Sequence, residues 1–108
     1  MNLPTEIFGE VIVVHTPEEL SSDQAAAFES YMPTLERNRA VLDLDNTEML
    51  DSAGLTALLN VYDNLRQQGG DVKVATTNAV NRKILEITRV DQQLEVFDSV
   101  VDAVKSLQ

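Results

Sequence analysis

Cysteine is absent from the 108-residue sequence, and histidine occurs once, at His15. Disulfides, thiolate metal sites and cysteine nucleophiles are therefore excluded. A metal centre built on several histidines and a two-histidine mechanism are excluded with them, so neither metal ligands nor catalytic residues are expected, and no cofactor. His15, with no second histidine or cysteine to join it, reads as a surface or turn residue. Tryptophan is missing too, and Tyr31 and Tyr62 at helical spacing read as core edge rather than a cofactor box. Basic residues are scarce: 8 Lys and Arg stand against 18 Asp and Glu, for a net charge of −10. Such a surface repels nucleic acid and anionic membranes, and suits either a protein partner with a basic patch or simple solubility. No apolar run approaches the roughly 20 residues that span a bilayer, so direct membrane insertion is not expected. Met1 to Glu6 carries neither a basic nor an apolar leader region, which points to a cytoplasmic protein without a signal peptide.

What is present is 44% hydrophobic, the composition of a globular chain, at a length that allows one domain over residues 1–108. Thr5–Phe8, Gly9-Glu10 and the β-branched run Val11-Ile12-Val13-Val14 read as a hairpin leading into a buried strand. Ser21 with Gln24 fits a capping box, and Phe28, Met32 and Leu35 fall on one face of the helix that follows. Pro33 should kink that helix or end it early. Ala40–Leu44 is a second buried strand, and Asn46–Leu50 a loop or short turn. Asp51-Ser52 opens the clearest helix, with Leu55, Leu58, Leu59, Tyr62 and Leu65 as its apolar stripe, and Gly69-Gly70 ends it. Asp71–Ala75 alternates as a strand. Asn78 starts a third helix with Val80, Ile84 and Ile87 inward. Leu94–Phe97 is a weak strand, and Ser99 caps a last helix with Val100, Val104 and Leu107 on one stripe. The order β-β-α-β-α-β-α-β-α predicts an α/β fold with a small, mostly parallel sheet. Functional sites in such sheets lie beyond the carboxyl ends of strands, at helix N-termini.

The segment Asp51-Ser52-Ala53-Gly54-Leu55 lies at such a place. Ser52 is a good N-cap residue, Gly54 allows close backbone approach, and Asp51 puts a negative charge beside the positive helix end. A plain helix cap accounts for these residues taken alone. Together with Val41-Leu42-Asp43-Leu44 before it and Gly69-Gly70 and Val72-Lys73-Val74-Ala75 after it, the segment resembles the STAS domain, named for sulfate transporters and anti-sigma factor antagonists. The resemblance implies a sheet with its helices on one side. It also implies that Ser52, directly after the motif Asp, is a regulatory phosphorylation site. By the same resemblance the partner surface comprises Asp23, Asn46, Thr47, Glu48, Met49, Asp51, Ser52, Ala53 and Gly54. The partners implied are an anti-sigma factor that is also a serine kinase, and a serine phosphatase. The stretch His15 to Asp23 departs from the family pattern: it is longer and has no Gly.

Two other roles compete with this one. A STAS-like chain of this length could instead be a soluble subunit of a membrane transport assembly. A receiver-like phosphoaspartate domain would use Asp43 and Asp45 at a strand end with Thr76-Thr77 nearby. That chemistry needs an acidic pair after the first strand and a Lys after a late one, and the sequence places His15-Thr16-Pro17 and no Lys there. The reading is therefore of a non-enzymatic binding protein.

Overall fold

The computed structural model describes all 108 residues. A hairpin of β1 (Thr5–Phe8) and β2 (Val11–His15) comes first, turning at Gly9 with φ 63°. There follow β3 (Glu19–Leu20), α1 (Ser22–Tyr31), a 3-10 turn (Met32–Leu35), β4 (Arg39–Asp43), β5 (Met49–Leu50) and α2 (Ser52–Gln67). Then come β6 (Asp71–Ala75), α3 (Ala79–Ile87), a second 3-10 turn (Val90–Gln92), β7 (Val96–Phe97) and α4 (Val100–Leu107). The main sheet runs β1-β2-β4-β6-β7, antiparallel at β1 and parallel from β2 to β7. The expected α/β class and the expected order of the main elements are both found. The short strands β3 and β5 were not expected: they pair in parallel beside the main sheet, β5 within the expected Asn46–Leu50 loop and β3 in the stretch His15 to Asp23, which was given no element.

Alternation along each strand sends residues to two cores. Ile12, Val14, Ala40, Leu42, Val72 and Val74 face α1, α2 and α3 around Phe28, Leu58 and Leu85. Val11, Val13, Val41 and Ala75 face the other way, onto Ala103, Val104 and Leu107 of α4. Helices on one side only is thus corrected: α4 covers the opposite face. The Val11–Val14 run carries the reason, since a strand buried on both faces loses its polar alternation.

The helices follow their sequence signals with three corrections. α1 ends at Tyr31 and gives way to the 3-10 turn containing Pro33, as the missing backbone donor requires. Its Ser21–Gln24 capping box does not form, because the Ser21 side chain makes no cap bond. On α2, Ala57 and Val61 join Leu55, Leu58 and Leu65 in the core, while Leu59 and Tyr62 are only half-buried. On α3 the face is displaced: Asn81 and Leu85 point inward, whereas Val80 and Ile87 are 66% and 68% exposed. The caps at Asn78 and Ser99 form as expected, accepting from Val80 and Asn81 and from Asp102 respectively.

Candidate functional site

The β3–β5 ladder builds the site. Glu19 lies opposite Met49 and Leu20 opposite Leu50, and both strands run directly into helices. The first turns of α1 and α2 therefore emerge side by side. Asp51 joins them: its Oδ1 accepts from the Gly54 N–H at 2.9 Å and its Oδ2 from the Ser22 N–H at 3.2 Å. Asp51 has the extended backbone of an N-cap, with φ −106° and ψ −175°. It is therefore the cap, which corrects the assignment of that role to Ser52. Ser52 is the first helical residue, exposed, and its hydroxyl has no hydrogen-bond partner within the chain. Gly54 sits against the Leu20 carbonyl oxygen, which a Cβ at this position would strike.

The loop from Leu44 to Leu50 is fixed from beneath. Thr47 is fully buried. Its hydroxyl donates to the Pro17 carbonyl at 2.6 Å and lies 2.6 Å from the hydroxyl of Thr16. Asn81 of α3, 1% exposed, donates from Nδ2 to the carbonyls of Leu44 at 3.1 Å and Thr47 at 2.7 Å. Asp45 accepts at Oδ1 from the Thr77 N–H at 2.6 Å, and the Glu48 and Met49 N–H groups both donate to the Glu18 carbonyl. Of the nine residues expected at a partner surface, Asp23, Asn46, Glu48, Met49 and Ser52 are exposed around one end of the sheet, with Asp51 and Ala53 half-buried among them. Thr47 and Gly54 do not belong on that surface; they hold its shape. Asn81 was missed, because a polar residue three places after a helix cap carries no signal of inward burial.

The electrostatics of this end are one-sided. No Lys, Arg or His occurs from Thr16 to Glu36 or from Ala40 to Leu65, while Glu18, Glu19, Asp23, Asp45, Glu48 and Asp51 all do. Asp43 and Asp45, the residues of the phosphoaspartate alternative, are occupied otherwise. Asp43 is 8% exposed, with Oδ1 accepting from the Asp45 N–H and Oδ2 2.9 Å from His15 Nδ1. Lys73, on the neighbouring strand β6, pairs instead with Asp71 and Glu95 at 3.4 and 3.2 Å. A cavity of about 580 Å³ opens at the opposite end of the sheet among Glu10, Arg37, Arg39 and Gln68, away from Ser52.

His15 is not the free surface residue expected. It lies between Glu6, 2.8 Å from Nε2, and Asp43, 2.9 Å from Nδ1. Partial burial pushes its pKa down, but the hydrogen bonds and negative charges of Glu6 and Asp43 outweigh that, leaving it above the ordinary 6.5.

Comparison with known proteins bears on the family and the fold. The sequence pattern described as the STAS domain matches residues 2–103. A protein of Thermotoga neapolitana, named as a candidate anti-sigma factor antagonist homologue, is 24% identical over 109 residues, covering 97% of this chain and 96% of its own. The crystal structure of an anti-sigma factor antagonist from Mycobacterium paratuberculosis superposes with a TM-score of 0.85 at 23% identity, covering 98% of this chain and 92% of that one. The phosphorylated form of the Bacillus cell fate determinant SpoIIAA superposes with a TM-score of 0.66 at 13% identity, covering 99% of this chain and 100% of that one.

Proposed function

Since the chain belongs to the STAS domain family, we propose that it is a protein-binding regulator of the anti-sigma factor antagonist type, switched off by phosphorylation of Ser52. One observation carries the reading: Ser52 is exposed at the head of α2 with its hydroxyl unengaged, while Asp51 takes the cap. A kinase can reach that hydroxyl without dismantling the helix end. The partner is an anti-sigma factor with serine kinase activity, and a serine phosphatase reverses the modification. The one-sided acidity around Ser52 suits a partner face that carries basic groups. A phosphate adds about −1.5 to −2 charge beside Asp51 and Glu48. The helix end stabilises it by only about 0.3–1 kcal/mol. The fold therefore survives phosphorylation, and a docked surface fitted to a neutral hydroxyl does not. The protein acts by binding, without turnover of its own.

The test is recovery of the tagged chain with its bound proteins from its own cells, with mass spectrometry of Ser52. Titrations of the recovered partner against wild type, Ser52→Ala and Ser52→Asp follow, with and without ATP. The expected result is an anti-sigma factor kinase that releases wild type on ATP addition, keeps Ser52→Ala bound, and binds Ser52→Asp weakly. Recovery of a membrane transport protein, or equal binding by wild type and Ser52→Asp with Ser52 unmodified, sinks the reading.

A further inference from the structure

The contacts of His15 follow from sheet register. In the antiparallel pair, Glu6 of β1 lies opposite Val13, so His15 is its diagonal neighbour on the same face. In the parallel pair, His15 lies directly beside Asp43 of β4. One ring on β2 thus touches a carboxylate on each flanking strand, at 2.8 and 2.9 Å. Both acceptors are carboxylates and both ring atoms are nitrogens. A neutral imidazole has one N–H and one lone pair, and only the imidazolium has two donors. With both carboxylates ionised, only the doubly protonated ring can donate to each of them. No Lys or Arg pairs with Glu6 or Asp43: on the same face of the sheet Arg39 pairs with Glu10 and Lys73 with Asp71 and Glu95, while Asp102 and Lys105 of α4 are exposed and pair with neither the ring nor its carboxylates.

The two contacts are unequal. The Asp43 side chain is 11% exposed and held at its other oxygen by the Asp45 N–H, whereas that of Glu6 is 55% exposed on an edge strand. When the ring gives a proton to water, Nδ1 keeps its hydrogen for the fixed, poorly solvated Asp43. Nε2 then turns a lone pair toward Glu6, and Glu6 swings out to water, which solvates it at little cost. β1 is held by its ladder to β2 and, just before it, by Leu3, which packs on the core and bonds Tyr31; its own side chains add little. All four of its residues are exposed, and β2 is its one neighbour in the sheet.

We propose that His15 is a proton-dependent latch that fastens the edge strand β1 to the sheet when its ring carries two hydrogens and frees it when the ring carries one. The latch follows from these three side chains alone and holds whether or not Ser52 is a phosphoacceptor. Its reporters are fixed by the ladder. The His15 N–H donates to the Pro4 carbonyl at 3.0 Å. Antiparallel bonding alternates, so the Glu6 and Phe8 N–H groups also point at β2.

The experiment is nuclear magnetic resonance of the full chain from pH 5 to 9, following the His15 ring and the exchange of backbone amides, corrected for intrinsic rates. Wild type, Glu6→Gln and His15→Gln are compared, with thermal melts to establish that each is folded. The ring of wild type is expected to titrate above 6.5, with protection of the Glu6 and Phe8 amides falling several-fold as it does, while α2 amides hold. In Glu6→Gln the ring midpoint moves to lower pH, and any residual pH-dependent loss of protection moves with it. In His15→Gln the protection of β1 is low and flat across the same window. A wild-type ring midpoint at or below 6.5, identical midpoints in wild type and Glu6→Gln, or β1 protection that ignores the ring, overturns the latch.

Discussion

Asp51 does two things with one carboxylate, capping α2 through Gly54 and reaching the first turn of α1 through Ser22. Asp51→Ala is therefore expected to lower unfolding free energy by about 0.5–2 kcal/mol, the range for losing an N-cap. Ser52→Ala should stay within about 0.5 kcal/mol of wild type, as at ordinary surface positions. Urea denaturation of the two variants checks this; a Ser52→Ala loss as large as that of Asp51→Ala would return the cap to Ser52. Gly54→Ala puts a methyl group against the Leu20 carbonyl, a backbone atom that cannot turn aside. It should cost about 1–3 kcal/mol, as overpacking does. His15 has a folded pKa above its ordinary 6.5. Its stabilising contribution is complete below about 6.5 and is lost as pH rises through the higher folded value. The difference in stability between wild type and His15→Gln should accordingly shrink with rising pH. At this scale the sequence was half-legible. The Asp-Ser-x-Gly pattern located the site, but Asp and Ser are equally good caps, and only backbone angles decided which one caps.

At the scale of the element, α2 and α3 respond differently to the same kind of reading. Leu58 is fully buried and Leu59 only half-buried on the margin of α2. Leu58→Ala should cost about 2–5 kcal/mol, as cavity formation does, and Leu59→Ala clearly less. On α3, Leu85 is fully buried and Ile87 is 68% exposed. Leu85→Ala should cost about 2–5 kcal/mol and Ile87→Ala within about 0.5 kcal/mol. Chemical denaturation of the four variants tests both helices, and equal losses for Leu85→Ala and Ile87→Ala would move the inner face back to the predicted one. The α2 stripe is wide and continuous, so its centre was readable from spacing. The α3 stripe misled because three branched aliphatics, Val80, Ile84 and Ile87, share a side, while the position chosen by packing is Asn81. Its amide satisfies two buried loop carbonyls, and a buried polar group with partners is stable where an unpartnered one is not.

Across the whole molecule, the net charge of −10 sets the balance of electrostatics. The ion pairs on the surface, such as Arg39 with Glu10 and Lys83 with Glu86, are exposed pairs worth about 0–1 kcal/mol each. Added salt weakens these, but it also screens the repulsion among the excess carboxylates, and the latter involves more charges. Thermal melts at rising sodium chloride concentration should therefore give a rising Tm. A Tm that falls would mean that the ion pairs outweigh the repulsion. The same excess of acid is drawn together around Ser52 by the β3–β5 ladder, at the end of the sheet where the proposed partner docks.

The sequence by itself determined the class of fold, the order of the main elements and the position of the Asp51-Ser52 segment. Those properties depend on local periodicity, cap chemistry and the rule that strands alternating with helices form a parallel sheet. The tertiary structure decided which residues meet across strands and which face each helix turns inward. It set α4 opposite the other helices, brought Ser22 to Asp51, buried Thr47 and Asn81 under the loop, and placed His15 between Glu6 and Asp43. Each of these joins residues at least nine positions apart in the chain, where register and packing, rather than neighbouring side chains, select the partner.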